Sequence, residues 1–205
     1  MKRTTFVSIL LAICLCGRLQ AVPVTNGMLL WLDATDPTTL FKDSGLTMLA
    51  SPGDDIGGWK DKSGNNYHAI QDDPFLQPTW QPNAMHGQSA VRFFGAEGDG
   101  MAIDESLFLQ RPYTVFIVNQ YHDEGFRGRT LQGLDSNWLH GMWSGRFGSF
   151  ASGWVGSVPA EVGFPYVEDT TGNVAGNTTF FVNNADFTND PRPTGAPGRL
   201  GLVSV

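Results

Sequence analysis

The chain has 205 residues, 41% of them hydrophobic and 16% charged, enough for one domain with its own core. Thirteen Lys and Arg stand against twenty Asp and Glu, a formal net charge of −7, and no basic patch is visible. Nucleic acid is therefore excluded as a partner, because the field of the whole molecule repels it.

Residues 1–21, MKRTTFVSILLAICLCGRLQA, have the three parts of an export signal. Lys2 and Arg3 give a positive start, Phe6 to Cys16 form an apolar run too short to span a bilayer comfortably, and Leu19-Gln20-Ala21 offers a cleavage site. The mature chain is expected to start at Val22, to be secreted or held at the cell surface, and not to span a membrane. Both cysteines, Cys14 and Cys16, fall inside the signal, which leaves no thiol for a disulfide or a thiolate metal site. Ten basic residues then face twenty acidic ones, for a mature charge near −10.

Residues 22–205 read as one all-β domain with no internal linker. Glycine, proline, asparagine and aspartate recur every eight to twelve residues or so, and short β-favouring runs lie between them. These runs are 28–33, 89–94, 113–120, 129–134, 178–184 and 199–204. The segment 104–109 has a helical look and can supply one turn before Pro112 stops it. The run 113–120 is apolar at Tyr113, Val115 and Ile117 and also at Phe116 and Val118, so it is expected as a central strand covered on both faces.

Between Trp59 and Tyr67, the stretch DKSGNN concentrates turn-forming residues. Asp61 can accept hydrogen bonds from N–H groups further along the chain, and Gly64 and the asparagines tolerate positive φ. A hairpin accounts for most of this stretch, with Asp61 in a structural part; only Asp61 and His68 remain as candidate ligands.

Three segments together carry a resemblance: LLWLDATDPTTL (29–40), GWKDKSGNNYHAIQ (58–71) and QPTWQPNAMHGQSAVRFFG (77–95). They resemble the start of bacterial laminin-G-like domains of the concanavalin A-like lectin/glucanase superfamily. The family's Leu-Trp-Leu-Asp strand falls on Trp31 and Asp33, its Trp-x-Asp-x-Ser-Gly-Asn turn on Trp59 to Asn65, and its Ala-Val-x-Phe strand on the segment ending at Phe93 and Gly95, with His86 where the family often has Asn. The resemblance implies two antiparallel sheets stacked as a jelly-roll sandwich, with a concave face that binds sugar in many relatives and a rim that sometimes binds calcium. It also implies a closing strand after the LGLV segment, and the sequence ends at Val205 without that pattern. The expectation is a sandwich lacking its C-terminal closing strand, or a naturally shorter one. In the former, the Leu29–Asp33 strand would have an unpaired edge.

No catalytic residues are assigned. Relatives that hydrolyse β-glucans carry Glu-x-Asp-x-Glu on one strand, and the nearest match, Glu97-Gly98-Asp99-Gly100-Met101, has methionine in place of the last carboxylate. The histidines, His68, His86, His122 and His140, are widely separated without metal-like spacing. Calcium is the cofactor the acidic loops would suit, with Asp33 and Asp36 as its expected ligands; Asp54-Asp55, Asp72-Asp73 and Asp123-Glu124 are further pairs.

The segment NWLHGMWSGRFGSFASGW (137–154) interleaves aromatic rings with small residues and a single charge. Such rings either fill the sandwich core or stack on sugar. The expected ligand-binding residues are Trp143, with Trp138 in reserve, and their polar neighbours Arg146 and Asn137. The function these residues imply is a non-catalytic carbohydrate-binding module whose partner is a polysaccharide or other glycan. An adhesion or protein-interaction module that engages a surface protein is the alternative, and a glycoside hydrolase a distant third.

Overall fold

The computed structural model describes residues 26–107, 109–110, 112–122, 128–151, 153–159, 166–172, 178–183, 185–186, 188 and 199–203. The expected export signal lies outside them. The strands, in chain order, are β1 Leu40–Phe41, β2 Gly58–Trp59, β3 Ala69–Ile70, β4 Thr79–Met85, β5 Gln88–Arg92, β6 Gly100–Ile103, β7 Tyr113–Asn119 and β8 Leu131–Gly133. They continue with β9 Trp138–Trp143, β10 Arg146–Ala151, β11 Trp154–Pro159, β12 Tyr166–Gly172, β13 Thr178–Val182, β14 Ala185–Asp186 and β15 Leu200–Val203. Two short 3-10 turns, Pro37–Thr39 and Pro74–Leu76, are the only helical elements among the described residues.

The strands form a nine-stranded antiparallel sheet in the order β1-β2-β3-β6-β15-β8-β9-β10-β11, a four-stranded sheet β14-β13-β12-β7, and the hairpin β4-β5. The four-stranded sheet covers the β9–β11 end of the large one, which makes the fold an antiparallel β-sandwich. Trp138, Met142 and Phe147 fill the space between. The Trp138 indole N–H donates to the Tyr113 hydroxyl of β7 at 3.0 Å, with the two rings edge to face at 6.1 Å.

The expected hairpin is present. Gly58 pairs with Ile70 and Trp59 with Ala69, and Gly64 (φ 93°) and Asn66 (φ 64°) take the left-handed conformations that a short connection needs. The expected strand over 28–33 is not: this segment joins no ladder. Instead, the hairpin's side chains hold it. Asp61, only 4% exposed, accepts hydrogen bonds from the backbone N–H of Trp31 (2.9 Å), Ser63 (2.8 Å) and Tyr67 (3.2 Å) and from the Ser63 hydroxyl (2.7 Å). Ser63 Oγ and Asn65 Nδ2 donate to the Leu29 carbonyl, each at 3.0 Å, and Lys62 N–H donates to the Trp31 carbonyl at 2.8 Å. One turn thus satisfies the backbone of a segment more than thirty residues away, with side chains doing what a neighbouring strand would otherwise do.

The run 113–120 also departs from expectation. β7 ends the four-stranded sheet, and Phe116 and Val118 on its outer side are 72% and 60% exposed, while Tyr113, Val115 and Ile117 turn inward. Apolar residues on both sides signal a covered strand only if something covers the outer side, and among the described residues nothing does. In 104–109 the chain makes a single turn, in which Leu107 N–H donates to the Asp104 carbonyl at 3.0 Å.

Removing the buried Asp61 carboxylate strands three N–H groups. Asp61→Ala should lower stability by about 2–3 kcal/mol in urea unfolding, and Asp61→Asn by less, since its amide oxygen can still accept. A loss under about 0.5 kcal/mol in Asp61→Ala would show that the turn does not hold the 28–33 segment.

Candidate functional site

β9 and β10 meet at a two-residue turn, Ser144-Gly145, with φ of 48° and 77° at the two positions. Positive φ at both central residues is the hairpin geometry that follows the natural strand twist. Gly145 N–H donates to the Tyr121 hydroxyl at 3.2 Å, which pins the turn to the rest of the fold. The turn makes Trp143 and Arg146 direct cross-strand partners, so their side chains leave the sheet side by side.

Alternation sorts the rest of this region. Trp138 and Met142 of β9 point into the sandwich, and Leu139 and Trp143 point away from the four-stranded sheet. On β10, Phe147 points in and Arg146, Gly148 and Phe150 point out. On β11, Trp154 and Ser157 share the outer side although three positions apart, because the register shifts between Ser149 and Phe150: Ser149 pairs with Gly156 but Phe150 pairs with Trp154. This bulge lets Val155 be fully buried while Trp154 stays 38% exposed.

Arg129, Asn137, Leu139, Trp143, Phe150 and Trp154 line a groove of about 170 Å³ on this outer side. Gly148 lies against the Trp154 indole. A Cβ there would lie 2.9 Å from Trp154 Cζ3 and 2.7 Å from the Gly156 carbonyl oxygen, so only glycine lets the indole lie against the sheet. Phe150 meets Trp154 edge to face at 5.5 Å and an interplanar angle of 82°. The Arg129 guanidinium stands 5.1 Å from the Trp143 ring centroid and donates weakly to Gln132 Oε1 (3.4 Å) and Asn137 Oδ1 (3.5 Å). Flat rings beside a guanidinium and two amides can hold a flat, partly apolar molecule that carries hydrogen-bonding groups.

Of the expected binding residues, Trp143 and Asn137 line the groove, and Arg146 adjoins it as the partner of Trp143, with Nε donating to Ser157 Oγ at 3.2 Å. Trp138 does not belong there. It is 1% exposed and points to the opposite side of β9, so it is a core residue and ligand cannot reach it. The sequence reading missed Arg129, which looked like the start of a strand. It also left Trp154 out, because the bulge that turns it outward has no simple sequence signal.

The expected calcium ligands are otherwise engaged. Asp33 Oδ2 and Asp36 Oδ2 each lie 2.8 Å from the Lys62 ammonium, which takes the place between the carboxylates that a divalent cation would need. That arrangement does not fit calcium, and among the described residues no group of three or more His, Asp or Glu side chains is gathered for a metal. Asp54 pairs with Lys42 at 3.3 Å, and Asp73 accepts from the Phe75 N–H at the start of a 3-10 turn. Asp123 and Glu124 lie outside the described residues.

The acidic loop is separate from the groove. Asp99 is buried and accepts from the Phe94 N–H at 2.8 Å. Burial pushes its carboxyl above the ordinary value against that hydrogen bond, and the charges of Glu97 and Asp55 add to the rise. Glu97 is exposed, Met101 is buried, and none of the three lines the groove. Of the histidines, His68 Nδ1 accepts from the Asp61 N–H at 3.1 Å, His86 sits in the β4–β5 turn at φ 46°, His122 Nδ1 lies 2.9 Å from Arg92, and His140 is buried.

Comparison of the chain with known protein families, with characterised proteins and with solved structures finds no match.

Lys62 makes the Asp33–Asp36 cluster sensitive to acid. Its ammonium, followed by the Thr38 hydroxyl and N–H, holds Asp36 down to about 2 from an ordinary 3.8. At Asp33, burial opposes the charge but bonds from Lys62 and Thr35 outweigh it, so that carboxyl is lowered too. Folded values below unfolded ones contribute stability that is complete above about pH 4 and lost as pH falls towards 2. The melting temperature should fall over that window in the wild type and fall less in Lys62→Ala. Added calcium should leave the wild-type melting temperature unchanged, and a calcium-dependent rise that disappears in Asp33→Asn would reverse this assignment.

Proposed function

We propose that this chain is a secreted, laminin-G-like carbohydrate-binding module, non-catalytic, with its sugar site in the Trp143–Trp154 groove. One observation carries the reading: two partly exposed tryptophans and a phenylalanine lie beside Arg129, Asn137 and Gln132 on the outer side of the large sheet. A pyranose has an apolar face of axial C–H groups that stacks on an indole, and equatorial hydroxyls that need donors and acceptors at the ring's edge. The groove offers both. Export, which the first twenty-one residues suggest, would bring such a module to extracellular glycans, but the groove would work in any compartment.

The affinity is modest on this reading. A groove of about 170 Å³ encloses little more than one sugar ring, and most of the stacking energy is offset by the cost of association. A glycan that spans several rings would gain from contacts along β10 and β11.

A protein-interaction module is the competing reading, and it draws on the exposed Phe116 and Val118 at the end strand of the small sheet. The two readings separate by mutation because their surfaces lie on different sheets.

Trp143→Ala should abolish glycan binding, screened on an array and then titrated, while costing about 1 kcal/mol of stability because the ring is half exposed. Trp138→Ala should cost about 3–5 kcal/mol. Phe116→Ala should leave glycan binding intact. Binding that survives Trp143→Ala and Trp154→Ala in a folded protein would remove the groove from consideration, and partner capture lost only in Phe116→Ala would favour the competing reading.

A further inference from the structure

Trp143 stands between two arginines, Arg129 and Arg146, that no carboxylate among the described residues neutralises. On the β8 side, Arg129 stacks on its ring and touches only the amide oxygens of Gln132 and Asn137, at 3.4 and 3.5 Å. On the β10 side, its cross-strand partner Arg146 bonds only to the hydroxyl and carbonyl oxygens of Ser157, at 3.2 and 3.3 Å. Among the described residues, no Asp or Glu lies within ion-pairing distance of either guanidinium.

This is unusual in a chain with twenty acidic residues against thirteen basic ones. Three other described cations do meet carboxylates: Lys42 meets Asp54 at 3.3 Å, Lys62 meets Asp33 and Asp36 at 2.8 Å, and Arg199 meets Asp135 at 2.7 Å and Glu105 at 3.2 Å. With acid in excess, pairing every arginine would be easy. The groove instead keeps two, and its lining includes no carboxylate to accept from a neutral sugar's hydroxyls.

On the sugar-site reading above, on which this step rests, we propose that the groove takes an acidic glycan, one whose rings carry carboxylate or sulfate groups. A ring stacks on Trp143, and its anionic oxygens accept from the guanidinium of Arg129 or, for the next ring, Arg146. Guanidinium is suited to this part because its planar fork gives two parallel N–H donors to a planar or tetrahedral oxyanion, and because it is weakly hydrated and can stack on an indole at the same time. The chain's overall negative charge does not prevent it. Beyond about 8–10 Å, physiological salt screens those charges, and at contact the two local cations dominate.

The test compares glycans that differ only in charge, titrated calorimetrically into the wild-type chain: a polyuronate oligosaccharide with its methyl ester, and a sulfated oligosaccharide with its desulfated form. At least one acidic form should bind about tenfold or more tightly than its neutral counterpart. The preference should shrink as salt rises from about 0.05 to 0.5 M. Which pair shows it identifies the anionic group as carboxylate or sulfate. Arg129→Gln and Arg146→Gln should each erode the preference while keeping the weak binding of the neutral form, whereas Trp143→Ala should lose both. Equal affinity for charged and neutral forms, or a preference untouched in both arginine variants, overturns the acidic assignment and leaves the sugar site standing. Failure of every glycan to bind overturns the sugar-site reading, and this assignment with it.

Discussion

The strand β15 holds the large sheet together. It lies between β6 and β8, with Gly201 facing Ala102 on one side and Gln132 on the other, so the last described segment joins the first half of the domain to the hairpins that carry the groove. Without it the sheet would part into β1-β2-β3-β6 and β8-β9-β10-β11. Bringing Arg199 back to Asp135 closes a loop of 64 residues, which costs roughly 4 kcal/mol in length-dependent chain entropy. Burial of Leu200 and Leu202 contributes about 3–6 kcal/mol against this, before any ladder hydrogen bond is counted. The Arg199 guanidinium then grips both carboxylate oxygens of Asp135, at 2.7–3.0 Å, and fixes the register at the point where β15 enters. A one-residue slip there would turn Leu200 and Leu202 out of the core.

The groove follows from that register. With β8 fixed by β15, β9 is fixed by Leu131 facing His140, and the alternation of β9 puts Trp138 and Met142 inside and Leu139 and Trp143 outside. The Ser144-Gly145 turn carries the same phase into β10, so the core packing of Trp138 and Phe147 sets where Trp143 and Arg146 stand. Only Trp154 escapes this phase, through the bulge opposite Ser149. A buried tryptophan and an exposed one five positions apart are thus parts of one constraint. The first anchors the strand against Tyr113, and the second is presented because the first is anchored.

Much of this was legible in the sequence, and the reasons differ by element. The sandwich follows from short apolar runs between turn residues, and the Asp61 turn from an Asp-x-Ser-Gly-Asn string with little else to do. The odd spacing of Trp138 and Trp143 already forbids both from sharing one side of a regular strand, so naming them together as ligand contacts conflicted with the strand periodicity. Other features were not legible for physical reasons. Residues 28–33 have strand composition, yet their hydrogen bonds go to Asp61, Lys62, Ser63 and Asn65, and composition does not say where a partner sits. Phe116 and Val118 look like core until the sheet order makes β7 a terminal strand. Asp33 and Asp36 look like cation ligands, and they are; the cation is Lys62 of the same chain. Charge counts along a sequence cannot distinguish an internal ammonium from an external metal.

Several local costs of the structure lie at the groove. Ser144 holds a left-handed φ of 48°, which for a residue with a Cβ costs roughly 1 kcal/mol, in a turn that Asn or Gly would form more easily. Gly141 and Gly148 sit inside strands at places a side chain could not take, the first at φ 104° and the second with the Gly156 carbonyl oxygen 2.7 Å from where a Cβ would be. Arg129 and Arg146 hold their charges beside Trp143 without a carboxylate partner among the described residues, and Trp154 keeps a large apolar surface in water. Each is tolerable singly, and other costs lie elsewhere, in the buried Asp99 carboxyl and the left-handed Leu46 and His86. Their coincidence within one hairpin and its neighbours is what a binding surface requires, since the features that strain a turn, expose a ring and leave a cation without a carboxylate all sacrifice stability for contact with something else. Stability alone would favour covering the tryptophans and pairing the arginines with carboxylates. The outer side of β8–β11 does neither among the described residues, and for that reason the groove, rather than the acidic loop or the exposed end of β7, is where the molecule's function should be sought.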